Sequence, residues 1–386
     1  MSFLLTCPYL LFILVTFALP IGVMLLRSVQ NPELGETMPA TAAAFQEWPG
    51  GGLPPEALVR IFAADVIAAR ENQTITLVAK RLNVEIAGFR GLLLSTARQM
   101  PAPDSGNLQR QLIDLDSRWS EPRYWAAIKH AAPRYTVRYL LATIDREFDV
   151  DGSIVKTAPD QRIYLTLLAR TLWISVAVTL ICLALGYPVA YLLAGLPTRY
   201  SNLLMLLLLL PFWTSLLVRT TAWLVLLQRE GLINDLAIWF GVTNEPMELV
   251  RNRFGVYVAM THILLPFMVL PIFSVMKGIS PSHMRAAFSL GAGPMRAFVR
   301  IYLPQTLPGI CAGGLLVFIM SLGYYITPAL VGGPADQMLS YFIAFNANAT
   351  LNWGLAGALS IVLMLCVGVF FAIYSRIVGI DKLRLG

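Results

Sequence analysis

Long apolar runs separated by short polar segments fill most of this chain, and one stretch after the first run breaks the alternation. The first run covers 4–26 and ends at Arg27. Five more fall at about 171–194, 203–227, 256–276, 310–331 and 355–377. A helix of ~20 apolar residues crosses the ~30 Å hydrocarbon layer of a bilayer, so the pattern predicts an all-α membrane protein with six transmembrane helices. No Lys or Arg precedes the first run, which is also longer than the ~7–15-residue core of a signal peptide. A retained first span is therefore expected, with a cleaved signal as the alternative. Segment 234–242, with Asp235, Leu236, Ile238, Trp239 and Phe240, is too short to span and predicts a helix lying at the interface. Trp213, Trp223, Trp239 and Trp353 fall near span ends, where amphipathic rings settle at headgroup level.

Between 28 and 165 the pattern becomes that of a water-soluble helical domain. It opens with a Pro/Gly-rich linker, in which Pro39, Pro49, Pro54 and Pro55 accompany Gly50, Gly51 and Gly52. Leu58, Ile61, Phe62 and Val66 then recur at helical spacing, as do Ile86, Phe89, Leu92 and Leu93, with charged residues between them. Amphipathic stretches follow at 124–128 and 139–148, the second running into the turn sequence Asp149-Val150-Asp151-Gly152. There is enough Leu, Ile and Phe here to bury a core. The predicted organisation is a first transmembrane helix over 1–27, a helical insertion over 28–165, and a five-helix core over 166–386.

Composition sharpens the class. Only 13% of the 386 residues are charged and 57% are hydrophobic, against roughly 25% charged in soluble domains. The net charge of +7 is no nucleic-acid signal, because acidic and basic residues nearly balance over 28–162 and the excess sits in short loops between spans. Cys7, Cys182, Cys311 and Cys366 lie far apart inside apolar runs, which predicts packing and neither a disulfide framework nor a metal site.

Those loop charges set an orientation. Lys277, Arg285, Arg296 and Arg300 lie between spans four and five with no acidic residue among them. Arg199 follows span two, and Arg376, Lys382 and Arg384 outnumber Asp381 in the tail. Cytoplasmic loops are enriched in Lys and Arg, so both termini are expected inside and the insertion outside. The 229–253 segment takes Arg229, Arg251 and Arg253 outside, accompanied by Glu230, Asp235, Glu245 and Glu248.

No paired carboxylates, metal-ligand cluster or nucleophile with a base recur at usable spacing, so no enzyme chemistry is expected. Nor is there a Gly-x-x-x-x-Gly-Lys-[Ser/Thr] phosphate loop, so a motor of that type belongs on another chain. Spans two to six hold no Asp, Glu or Lys in their interiors, which argues against the alternative of an ion-coupled secondary transporter or channel. His262 is read as the one titratable exception, either lining a pathway or hydrogen-bonded between helices. Pro188, Pro211, Pro266, Pro271 and the pair Gly313-Gly314 predict kinks or close helix approach.

The most informative stretch is Ser280-Pro281-Ser282-His283-Met284-Arg285-Ala286-Ala287-Phe288-Ser289-Leu290-Gly291-Ala292. Ser280 is placed to cap a helix, and Pro281 occupies its first position at no hydrogen-bond cost. Gly291 is placed to end it in a left-handed conformation. After Pro294 a second amphipathic turn, 295–302, leads to Leu303-Pro304. A short capped helix between spans suits docking into a groove on a soluble partner; an ordinary connecting loop is the alternative.

This stretch resembles the EAA loop of binding-protein-dependent ABC importer permeases, with Ala286, Ala287, Gly291, Leu303 and Pro304 matching in order and spacing. The flanks are similar to the spermidine/putrescine branch of that family in Gly186-Tyr187-Pro188-Val189-Ala190 and Leu210-Pro211-Phe212-Trp213-Thr214-Ser215. Gly231-Leu232-Ile233-Asn234, Leu264-Leu265-Pro266-Phe267-Met268 and Pro328 with Gly332-Gly333 extend the likeness, which covers about 165–380 and the first span by position. It implies the type I ABC importer permease fold and a permease subunit in the bacterial cytoplasmic (inner) membrane, passing a small organic solute, with a polyamine as the branch's cargo, from a binding protein into the cytoplasm. The implied partners are a second permease subunit, two ATPase subunits, an extracytoplasmic solute-binding protein and the lipid bilayer, with no nucleic acid. No cofactor is implied in this chain, and ATP and Mg belong to the partner ATPase. Coupling to the ATPase is implied for the 278–304 loop through Arg285, Ala286, Ala287, Gly291, Leu303 and Pro304. Two departures stand out: Arg285 replaces the family's usual Glu, and the insertion is much longer than the corresponding loop of typical relatives. Trp213, His262, Tyr324 and Tyr325 are the candidate pathway-lining residues.

Overall fold

The computed structural model describes residues 2–378. The tail charges Asp381, Lys382 and Arg384, used above for orientation, lie outside the described residues. The chain divides into two compact units, Met1–Tyr164 with Asn346–Ile361, and Leu165–Phe345 with Val362–Gly386.

Five described helices are long and apolar enough to cross a membrane: Thr6–Leu26, Pro159–Gly195, Arg253–Gly278, Pro294–Gly323 and Trp353–Arg376. A sixth span exists if Thr198–Trp213 and Leu216–Trp239, which meet at 97°, are one broken crossing. The uninterrupted helix expected over 203–227 is thus corrected to an elbow. Pro211 has no N–H to continue the ladder, the backbone tightens into a 3-10 turn over Leu210–Trp213, and Ser215 starts a new helix by accepting from the Val218 N–H at 3.2 Å. The run expected to continue to 331 also stops early, at Gly323. Tyr324 is extended, and a separate short helix, Ile326–Val331, follows. Leu232–Trp239 forms the short helix expected near 234–242, and Leu339–Asn348 forms one that the pattern did not announce.

Two helices widen by one residue just before a Leu-Pro pair. Leu14–Ala18 precedes Leu19-Pro20, and Phe298–Tyr302 precedes Leu303-Pro304, each as a π turn. In each, the leucine N–H reaches back five residues, Leu19 to the Leu14 carbonyl and Leu303 to the Phe298 carbonyl. A proline ring crowds the carbonyl four residues earlier and offers it no donor, and a π turn relieves both problems. The turn expected over 295–302 is therefore the first part of the long helix Pro294–Gly323.

In the second unit, Arg253–Gly278 packs against Leu303–Gly323 at close range. A Cβ on Gly309 would stand 2.9 Å from the Ile272 Cα, and one on Gly313 would stand 2.9 Å from the Met268 carbonyl oxygen. Glycines four apart on one face let two backbones touch, which is how helices associate where water supplies no driving force. Gly313 was anticipated in this role and Gly309 was not. Gly314 faces open space.

The insertion builds its own core around Phe45, Phe62, Phe89, Trp119 and Trp125. Both buried indoles are satisfied: Trp119 Nε1 donates to Thr96 Oγ1 and Trp125 Nε1 to the Trp119 carbonyl, each at 2.9 Å. The opening segment is not all linker. Pro32–Thr37 and Pro39–Glu47 are helices that bury Leu34, Met38 and Phe45, and Phe45 stacks on Trp125. Pro39, which reads as a linker residue, occupies a first helical position, where a missing N–H costs nothing. The stretch 139–148 is likewise not one helix. It splits into Arg138–Ala142 and the strand Arg146–Phe148, which pairs antiparallel with Ile154–Lys156 across the expected turn.

Candidate coupling surface and translocation pathway

The helix between the long helices Arg253–Gly278 and Pro294–Gly323 spans Pro281–Ser289. Ser280 Oγ accepts from the Ser282 N–H at 3.3 Å, and Pro281 takes the first position. At the other end Gly291 has φ +81°. Its N–H donates to the Phe288 carbonyl and the Ala292 N–H to the Ala287 carbonyl, both at 3.0 Å. This pair of bonds is the Schellman arrangement, which closes a helix and satisfies its last carbonyls. His283 Nδ1 and Gln305 Oε1, 2.8 Å apart, tie the short helix to the start of the next long one.

Of the coupling residues, only Ala287 is buried; Leu303 is half-buried, and Arg285, Ala286, Gly291 and Pro304 are exposed. Around them lies an apolar surface that sequence reasoning missed. Leu290 is 88% exposed, Met295 75% and Phe288 47%, with Arg296 and Arg300 beside them. A linear pattern cannot show which face a short helix turns inward. Exposed apolar residues rimmed by polar ones are the kind of surface that contacts a protein or a membrane.

The pathway candidates separate into two groups. Trp223 Nε1 donates to His262 Nδ1 at 3.1 Å, so this histidine bridges two helices. Arg219 lies near both His262 and Tyr324. Trp213, 75% exposed, stands at the elbow, and Tyr325 lies in the break after Gly323. No hydrogen bond or ring contact joins either side chain to the Arg219 group among the described residues. Irregular backbone at membrane depth is tolerated only inside protein or beside a water-filled cavity. Three of the four candidates, Trp213, Tyr324 and Tyr325, sit where the helices break.

Arg219 corrects the reading of His262 as the single titratable group in the later spans. It lies in Leu216–Leu227 with its guanidinium 5.8 Å from the Phe212 ring centre, and its Nε and Nη1 are buried without an acceptor among the described residues. Arg219 is visible in the sequence as a charged residue inside the run 203–227. Among the described residues no group of His, Cys, Asp and Glu could hold a metal ion.

Long apolar helices, one of them broken, with a capped helix exposed between two spans, define a polytopic membrane permease. The family model of the binding-protein-dependent transport system inner membrane component matches residues 184–380, and the chain belongs to that family. The spermidine/putrescine transport system permease protein PotB of Salmonella typhimurium is 36% identical over 214 residues, 55% of this chain and 75% of that one. PotB of Escherichia coli K12 is 35% identical over 55% of this chain and 78% of its own. The inner membrane ABC transporter permease protein YdcU of the same strain is 29% identical over 56% and 73%. The chain is accordingly a permease subunit of an ABC importer, a multi-pass protein of the inner membrane and a transport component. The family match leaves out the insertion.

Proposed function

We propose that this permease carries a small organic solute of the polyamine class, received from an extracytoplasmic binding protein and driven by ATP hydrolysis on separate ATPase subunits. The observation that carries the coupling part is the Pro281–Ser289 helix, capped at both ends, which exposes Phe288 and is followed by the exposed Leu290 and Met295. A rigid knob with an apolar tip transmits a push that a loose loop would absorb. Both termini and this helix lie in the cytoplasm, by the loop charges, and the insertion lies outside. Arg285 meets an acidic surface of the ATPase where relatives present a Glu.

The proposal is tested by reversing charge. Arg285→Glu should weaken copurification of the ATPase, and an acidic-to-basic change on the ATPase should restore it. Full assembly of Arg285→Glu would reject the contact. Labelling from each face of the membrane tests the topology: Ser105→Cys should react outside and His283→Cys inside.

For the cargo, the support is the likeness to permeases named for spermidine and putrescine, together with the aromatic faces of Trp213, Tyr324 and Tyr325, which attract ammonium groups. A second reading rests on Arg219. An unpaired guanidinium among the pathway candidates favours a solute bearing a carboxylate beside its ammonium, such as an amino-acid derivative. Uptake of labelled putrescine, competed by unlabelled spermidine or by amino acids, separates the two.

A further inference from the structure

A groove of about 1100 Å³ lies within the first unit, between the end of the first long helix, the Ile75–Glu85 helix of the insertion and the start of the last long helix. Leu19, Val23, Leu77, Val84 and Trp353 give it apolar walls. Two buried polar atoms at its lining have no partner among the described residues, Arg81 Nη2 and Glu33 Oε2. Arg81 is 3% exposed. Its Nε donates to Asn31 Oδ1 at 2.5 Å and its Nη1 to Glu85 Oε1 at 2.7 Å, which leaves Nη2 alone. The Tyr139 ring, 5.5 Å from the guanidinium, supplies it no acceptor oxygen. A buried donor or acceptor left unpaired is costly, so these two atoms ask for a ligand carrying both an acceptor and a donor. Arg27 and Lys80 also line the groove and form no ion pair among the described residues.

The placement of the walls selects the ligand. Leu19 precedes Arg27 by about 12 Å along the helix, at ~1.5 Å per residue. That is nearly the depth of one leaflet's hydrocarbon, half of ~30 Å. The groove therefore runs from acyl depth at Leu19 to headgroup depth at Arg27, where Trp353 stands. A polycationic solute would meet three cations against one unpaired carboxylate, because Glu85 is already shared by Arg81 and Arg138.

We propose that this groove binds one phospholipid with an amine headgroup. Its phosphate accepts from Arg81 Nη2 and faces Arg27 and Lys80, its ammonium donates to Glu33 Oε2, and an acyl chain lies along Leu19, Val23 and Leu77. The proposal is independent of the cargo and of which side the insertion faces.

Native mass spectrometry of the full-length chain, purified in mild detergent and titrated with phosphatidylethanolamine, tests it. Wild type should retain one lipid under detergent washing. Arg27→Gln combined with Lys80→Gln should weaken binding about tenfold or more. Val23→Trp, which fills the apolar end without changing charge, should do the same, and phosphatidylcholine, which has no ammonium N–H, should bind more weakly. Thermal melting confirms that each variant is folded. Wild-type lipid retention in both variants would overturn the proposal. So would displacement of the lipid by excess inorganic phosphate, which would make the groove a site for a free anion.

Discussion

The indole N–H of Trp223 meets Nδ1 of His262 at 3.1 Å and ties the Leu216–Leu227 helix to Arg253–Gly278. An accepting Nδ1 places the ring proton on Nε2. Trp223→Phe keeps an aromatic ring but deletes the donor and part of the indole's packing, so the complex should lose about 1 kcal/mol or more of stability while uptake stays near wild type. Thermal unfolding and transport on the same preparation check this. Unchanged stability with abolished uptake would give His262 a pathway role instead.

Gly291 bears on coupling. A Cβ there meets nothing within 4 Å, so the cost of Gly291→Val is backbone strain at φ +81°, about 1–2 kcal/mol. The loop should lose its fixed end, and ATP hydrolysis should proceed with reduced uptake. Wild-type coupling in this variant would reject a mechanical role for the helix.

Close packing in the second unit gives a paired test. Gly309→Val places carbon against the Ile272 backbone at 2.9 Å and should cost about 1–3 kcal/mol. Gly314→Ala, on the open side of the same helix, should be neutral or stabilise by up to about 1 kcal/mol. Equal effects from both would mean that the helices separate without consequence.

His130, packed against Phe148 in the insertion, has its pKa lowered, chiefly by burial. The folded state then holds the proton less readily than the unfolded chain, whose histidine titrates near ~6.5. Insertion stability should be full above that pH and fall as pH drops through it, because the unfolded chain protonates first. His130→Phe should flatten this part of a melting-temperature profile against pH.

We propose that the insertion is a docking platform for the binding protein, with a cap on the span ends as the competing role. Leu34, Met38 and Phe45 belong to its core, so a clean deletion must run from about residue 32 to 157. Docking predicts an assembled complex with basal ATPase activity but without stimulation by the binding protein. Failure to assemble would support the cap.

The spans were legible in the sequence because burial in lipid demands one property of every residue in a run, and composition records it directly. Both caps of the Pro281–Ser289 helix were legible for a similar reason: Ser-Pro and Gly act through their own backbone within a few residues. What lay beyond the linear pattern depended on neighbours far apart in the chain. The elbow at Pro211 is the local exception, since Ser215, four residues on, begins a new helix rather than bending the old one. Pro39 became a helix start because Phe45 found Trp125, and Gly309 acquired its meaning only when Met268 and Ile272 were brought against its helix. The groove likewise joins Arg27, Arg81 and Trp353, which no sequence spacing relates. Hydrophobic period and local capping are properties of a segment, so the sequence alone determines them. Which faces meet, and which polar atoms are left without partners, depends on the sum of many weak long-range contacts, and only the tertiary structure decides it.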